Sequence, residues 1–354
     1  MKKLLLSLSL VALASAAHAD NVLHLFNWNN AVPDSTIKAF ESQCKCRVEA
    51  TYYGSVEEML AKLSAGATGF DVIGPANYGI TPLVKLNLLQ PLDHSKLSNL
   101  KNIAPAFANT RLDPGNKYSA PYDFTVTLVG YNETKVKELG LDPTTWAIAF
   151  DPKVLAKIKG KITVLDDPRE VIGEALKYNG FSANSTNPAE LKKAVATIEA
   201  AKPYWAAFNS QSYIKELTVG NIWVALGYSN DMYQARSDAA KANRPFKIGY
   251  ALQKEGNGMT ADSFVVAKAA PRADLAHQFI NFMLDGKNAA ETTNQVGSGT
   301  SNTAALPFVR ADLKAVPAIA PSSAQASKLE QLTDLDAKTR RAWNQAWTEI
   351  KVSK

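Results

Sequence analysis

Apolar and polar positions along this chain follow two periods, and the switches between them mark its elements. An apolar run predicts a strand over 21–27, and the stretch after Pro33 predicts a helix over 34–43. The pair then repeats as strand 46–53 and helix 55–66, where Ser55 and Glu58 have the spacing of a capping box. A strand at 71–75 leads into a short helix. The segment YSAPYDFTVTLVGYN, 118–132, is β-rich throughout. After it the pattern predicts strand 162–167, helices 168–179 and 188–201, strand 222–228 and helix 230–241. A second β-rich run covers 246–268. An amphipathic helix at 272–284 follows, and a helix near 336–351 closes the chain.

Such alternation predicts an α/β fold whose sheets are mostly parallel and covered by helices. Two long β-rich runs flank a complete α/β block, which suggests a chain that leaves one lobe, builds a second and returns. The expected division is 20–123 plus 254–306 for lobe 1 and 124–253 plus 307–354 for lobe 2. The hinge is expected near 123–125 and 252–256. Ligands of open α/β sheets bind beyond the carboxyl ends of strands, so those ends are where chemistry is expected.

The N-terminus is set aside first. Lys2 and Lys3 precede the short apolar stretch Leu4 to Ala14, and Ala17-His18-Ala19 fits a small-x-small cleavage pattern. Residues 1–19 are therefore expected to be a secretory signal peptide, too short for a membrane anchor. Asp20 rather than a cysteine follows the cut, so no lipid anchor is expected. The protein is read as soluble and exported, periplasmic in a cell with two membranes. The 335 residues that remain of 354 suffice for two lobes.

Charge changes the picture little. The formal charge of +6 falls to +4 without Lys2 and Lys3, and the basic residues are scattered, so no nucleic-acid partner is expected. The histidines lack metal-ligand spacing, and no cofactor motif occurs. Cys44 and Cys46 are one residue apart. On a strand their Cα atoms would lie roughly 6.5–7 Å apart, near the upper limit for a disulfide. An exported protein permits the bond, and both a disulfide and two thiols stay open.

The strand ends are chemically alike. They read Asn27-Trp28-Asn29-Asn30, Pro75-Ala76-Asn77-Tyr78, Asp166-Asp167 with Glu170 a turn later, Gly227-Tyr228-Ser229-Asn230-Asp231, and Thr260-Ala261-Asp262-Ser263. Rings offer cation–π faces and carboxylates offer charge-assisted hydrogen bonds, so both suit an ammonium. Arg169 is the only basic residue there. Structural readings compete. Trp28 and Tyr78 could be core aromatics, Asp167-Pro168-Arg169-Glu170 is an ordinary helix start, and Asp231 suits a helix first turn. Asp262 lies in a β-rich run, where Asp is unfavourable by propensity, and that favours a functional role.

These residues carry a resemblance. FNW near the start, EMLAKLSAGATGFDVIGP (58–75), LLQPLDHSKL, APYDF, VLDDPREV (164–171), SQSYIKELTVGNIWVALGY (210–228), KEGNGMTADSF and TRRAWNQAWTEIK are similar to segments of the periplasmic polyamine-binding proteins of bacterial ABC transporters, the putrescine branch above all. The likeness runs nearly end to end. It implies an α/β, two-lobed type II periplasmic binding-protein fold with a hinge and a ligand cleft between closing lobes. It implies a small cationic amine as ligand, and a separate membrane permease and cytoplasmic ATPase as partners. No cofactor, metal or catalysis is implied, and a monomer is expected.

Carried over by position, Trp28, Glu170, Tyr228, Asp231 and Asp262 fall on ligand positions of that family, with Tyr228 in place of a tryptophan. Tyr78 and Asp167 match the spermidine branch. Asn29, Asn30 and Ser298 complete the expected site. The family's acid and tyrosine after the tryptophan are here Asn30 and Ala31. A serine position is Ala76, an aromatic is Thr260 and a further tyrosine is Ser298. The resemblance therefore implies a reduced aromatic box with one carboxylate fewer, and an ω-amino acid or another zwitterion is the runner-up ligand. Three rivals have weaker support: a thiaminase-like transferase using a cleft cysteine, a ferric-ion binder suggested by Tyr52-Tyr53, and an anion binder at the helix after Asn30.

Overall fold

The structure, a computed structural model, describes residues 21–29, 31–110 and 112–353. The expected signal peptide and the expected site residue Asn30 lie outside the described residues. Strand β1 is Val22–Trp28, β2 is Arg47–Tyr53, β3 is Val72–Ile73 and β4 is Leu89–Gln90. The long β5 is Ser119–Asn132. It precedes β6 (Ile162–Val164), β7 (Ala207–Phe208) and β8 (Val224–Tyr228). Then come β9 (Ile248–Ala251), β10 (Asn257–Ala267), β11 (Gly299–Thr300) and β12 (Leu329–Gln331).

These strands join in the order β2-β1-β3-β10-β5-β8-β6-β7. β1 runs parallel to β2 and β3, and β6 runs parallel to β7 and β8, so each end of the path is a parallel α/β unit. The two β-rich runs meet in the middle. β10 is antiparallel to β5 from Met259–Val126 to Val265–Ser119, whereas the later part of β5, from Thr127, pairs with β8 and β9. One strand thus serves both ends of the sheet. The second β-rich run breaks into β9 and β10 at Gly256, whose φ of +96° and close approach to the Lys328 carbonyl exclude a side chain.

The two largest of the apolar cores draw on opposite ends of this strand path. One gathers Leu23, Leu25, Phe40, Val72, Phe264 and Phe279. The other gathers Val129, Trp146, Ile172, Leu226 and, from the closing helix Ala337–Val352, Trp343, Trp347 and Ile350. Each buried side chain of this size contributes about 1.5–3 kcal/mol, so both bodies have cores of their own.

Helix starts follow their local sequence. Ser55 accepts the Glu58 amide at 3.1 Å, but the Glu58 carboxylate takes the Gly54 amide at 2.8 Å, so the capping box is reciprocal with its neighbour only. Asp167 caps helix Pro168–Tyr178, accepting from Arg169 and Glu170. The cysteine question is decided by a turn. Cys44 ends helix Asp34–Cys44, Lys45 is left-handed, and Cys46 precedes β2. The Cα atoms are 5.2 Å apart, closer than strand geometry allows, and the two residues form a disulfide.

Candidate functional site

A cavity of about 780 Å³ opens where the carboxyl ends of β1, β2, β6 and β8 converge on the middle of β5 and β10. Eight of the ten expected residues line it: Trp28, Asn29, Tyr78, Asp167, Glu170, Tyr228, Asp231 and Asp262. Asn30 lies outside the described residues. Ser298 does not line the cavity: it is fully buried, just before β11, with its hydroxyl beside Asp123.

Each element explains its side chain. β1 ends at Trp28, whose ring is braced by Tyr53 with centroids 4.5 Å apart. Tyr53 is itself held by a 2.5 Å hydrogen bond to the Gly74 carbonyl. The Trp28 indole N–H is buried without closing a hydrogen bond, and it lies close enough to Asp262 to lower that acid's pKa in part. Of the adjacent tyrosines Tyr53 is buried and Tyr52 is exposed, as expected of a strand end.

On the opposite wall Asp167 fills both roles that its sequence offered. One oxygen caps the helix, and the residue still lines the cavity. Glu170, one turn in, accepts 2.6 Å from the Thr127 hydroxyl of β5. Asp231, in the first turn of helix Ser229–Lys241, accepts a short hydrogen bond from Tyr213. Tyr213 packs against Gly227, where a Cβ would meet the ring at 2.4 Å, so only glycine lets the phenol reach Asp231. Arg169 turns away. Its guanidinium donates to the Ala183 and Thr333 carbonyls and lies over the Trp343 ring.

The lining residues include six carboxylates, Glu58, Asp123, Asp167, Glu170, Asp231 and Asp262, and among the described residues no Lys, Arg or His. The electrostatics follow from burial among like charges. Desolvation and the neighbouring Asp167 push Glu170 up to about 8. Desolvation raises Asp262 to about 7, and Asp167 and Asp231 to about 6. Asp123 is held well above the carboxylate range by desolvation and then by Asp262. A site that makes Asp123, Asp167, Glu170, Asp231 and Asp262 reluctant to ionise lacks positive charge, and a cation entering it would relieve these five.

Sequence reasoning missed Asp123, Thr125, Tyr53 and Tyr213. Asp123 had a usable signal: a carboxylate inside an apolar strand run, the argument that singled out Asp262. Thr260 and Thr125 face each other across β10 and β5 with hydroxyls 3.0 Å apart, so where the family has an aromatic ring this wall has a polar pair.

Comparison with known proteins places the chain. The family described as bacterial extracellular solute-binding protein matches residues 35–321. The chain belongs to that family. This solute-binding protein is 53% identical over 352 residues to a putrescine/cadaverine-binding protein of Pseudomonas aeruginosa, spanning 99% of each chain. It is 37% identical to a putrescine-binding periplasmic protein of P. aeruginosa strain UCBPP-PA14, over 99% of this chain and 98% of the other. Among solved structures, a spermidine/putrescine ABC transporter substrate-binding protein of Streptococcus pneumoniae superposes with a TM-score of 0.78. It is 28% identical and covers 94% of this chain and 98% of its own. The fold is thus the two-lobed type II architecture of periplasmic binding proteins.

Proposed function

We propose that this periplasmic protein is the solute receptor of an ABC importer and binds a polyamine of the putrescine or spermidine class between its lobes. The observation that carries the reading is the cavity: six carboxylates with no cation among its described residues, walled by Trp28 and Tyr228. In this reading Trp28 and Tyr228 flank the alkyl chain, and Glu170, Asp231 and Asp262 receive ammonium groups. Asn29, Tyr78 and Asp167 complete the lining, with Ser298 behind it, and Asn30 remains an expected ligand contact outside the described residues. An ω-amino acid would bring its own carboxylate against an acidic wall, so the diamine is favoured over the zwitterion. The relatives at 53% and 37% identity, named for putrescine, support the same ligand class.

The mechanism is population shift. The lobes, taken as 20–123 plus 254–306 and 124–253 plus 307–354, move about crossings near 123–125 and 252–256. A diamine touches both walls only when they close, so binding favours the closed form. That form docks on a membrane permease driven by a cytoplasmic ATPase, and the receptor works as a monomer without transforming its solute.

Calorimetric titration of refolded, ligand-stripped protein tests the reading. The panel is putrescine, cadaverine, spermidine, spermine, γ-aminobutyrate and 5-aminovalerate. Micromolar or tighter binding of a diamine or triamine is expected. Binding of the amino acids alone would overturn the ligand class. X-ray scattering with saturating ligand is expected to show a smaller radius of gyration.

A further inference from the structure

The strand wall of the cavity holds a feature that the binding reading above does not use. Asp123 of β5 and Asp262 of β10 are register partners on antiparallel strands. Directly opposed residues have Cβ atoms about 4.5–5.5 Å apart. The opposition continues the regular register from Met259–Val126, and a bulge follows it: Ser263 pairs with Pro121, so Tyr122 is the extra residue. Both acids line the cavity and are buried, Asp123 at 3% exposure and Asp262 at 9%.

The pair is incompletely satisfied. Oδ1 of Asp123 and Oγ of Ser298 are buried with no hydrogen-bond partner among the described residues, and so is the Trp28 indole nitrogen beside Asp262. Uncompensated burial of such groups is costly. The titratable groups facing the pair are all acidic or phenolic: Tyr122 on β5 itself, Tyr53 from β2, and Glu170 across the cavity. From β1 it meets Trp28 and from the β11 side Ser298, neither of which titrates here. Two carboxylates so placed share a proton in the empty site, because both cannot ionise side by side without a counter-charge.

We infer that Asp123 and Asp262 together form a paired-carboxylate receptor for one primary ammonium of the ligand, and that the ammonium enters in exchange for the shared proton. The inference rests on the polyamine reading above and makes it more specific. A primary ammonium brings three N–H donors and one positive charge. It replaces the proton between the two acids, offers donors to the orphaned Asp123 oxygen, and leaves the two carboxylates and the ammonium together with one net negative charge. The displaced proton passes to solvent. Asp123 thereby supplies a second carboxylate to a chain that has Asn30 at the sequence position of the family's acid, and it selects an amine over a carboxylate at that end.

The test is titration of full-length mature protein with putrescine from about pH 6 to 8.5, in buffers of different ionisation enthalpy. Affinity of the unaltered protein is expected to rise with pH, by up to tenfold per unit for each proton released. Asp123→Asn is expected to release about one proton fewer per ligand, to flatten that rise, and to bind at least tenfold more weakly at pH 8.5. An Asp123→Asn protein with unchanged proton release and affinity would overturn the inference alone. Silence of the unaltered protein towards the whole amine panel would overturn the polyamine reading and this inference with it. Should Asp123→Asn not fold, Ser298→Ala decides: loss of that hydroxyl is expected to displace the affinity curve to higher pH, and an undisplaced curve counts against the pair.

Discussion

The two walls of the cavity carry the same charge but hold it differently. On the helix wall each acid is supported before any ligand arrives. Asp167 caps its helix, Glu170 takes the Thr127 hydroxyl, and Asp231 takes the Tyr213 phenol. The strand wall leaves its polar atoms unanswered: the Trp28 indole nitrogen, Asp123 Oδ1 and Ser298 Oγ are buried without partners among the described residues. The difference follows from backbone geometry. A helix start presents free N–H groups and room for a hydroxyl, so acids placed there are pre-oriented. Strand acids project from a ladder whose own N–H groups are already used. Under the proposed function the helix wall would fix where an amine sits, and the strand wall would gain most when it arrives.

Breaking the helix wall is expected to cost most. Glu170→Gln removes the carboxylate that the proposed function gives to an ammonium while keeping its shape, and putrescine affinity should fall about 100-fold by calorimetry. An unchanged dissociation constant would remove Glu170 from the site. On the strand wall Trp28→Ala takes away a ring and its cation–π face, with an expected drop in affinity of about tenfold. The same variant should melt at a lower temperature, because Tyr53 no longer has an indole ring to pack against.

The shared reluctance to ionise sharpens the comparison through pH. Folded Asp167, Asp231, Asp262 and Glu170 lie at about 6, 6, 7 and 8, above their unfolded values. The stability linked to these acids is thus present in full below their unfolded pKa and is lost as pH rises through 6 to 8. The melting temperature of ligand-free protein is expected to fall by roughly 3 °C or more between about pH 5 and 8. Saturating putrescine should cancel most of that fall, and a flat ligand-free profile would show that these acids already ionise freely in the folded protein. The smallest effect is expected from Tyr213→Phe, which frees Asp231 without removing its charge. Affinity should drop only about threefold, and a larger loss would show that orientation rather than charge governs the helix wall.

Most of the architecture was legible because its signals are local. The 3.6 and 2.0 periods, the Asp167-Pro168-Arg169-Glu170 helix start and the apolar length of 118–132 need no distant partner to be read, and these elements stand within a few residues of their expected ends. The theme of rings and acids at strand ends was equally visible, and seven of those positions, with Asn29, line one cavity. What the sequence by itself determined was thus the elements and the chemistry placed at their ends. Only the tertiary structure decided which way that chemistry faces. Arg169 is drawn from the cavity by carbonyls at 183 and 333 and the Trp343 ring, none of them near it in sequence. The left-handed Lys45 brings Cys44 and Cys46 within bonding reach. Asp123 opposes Asp262 because two strands 139 positions apart in the chain at that pair hold one register from Met259 to Asp262. Side-chain direction in a strand reverses with each residue of register, and register is set by partners that local periodicity cannot see.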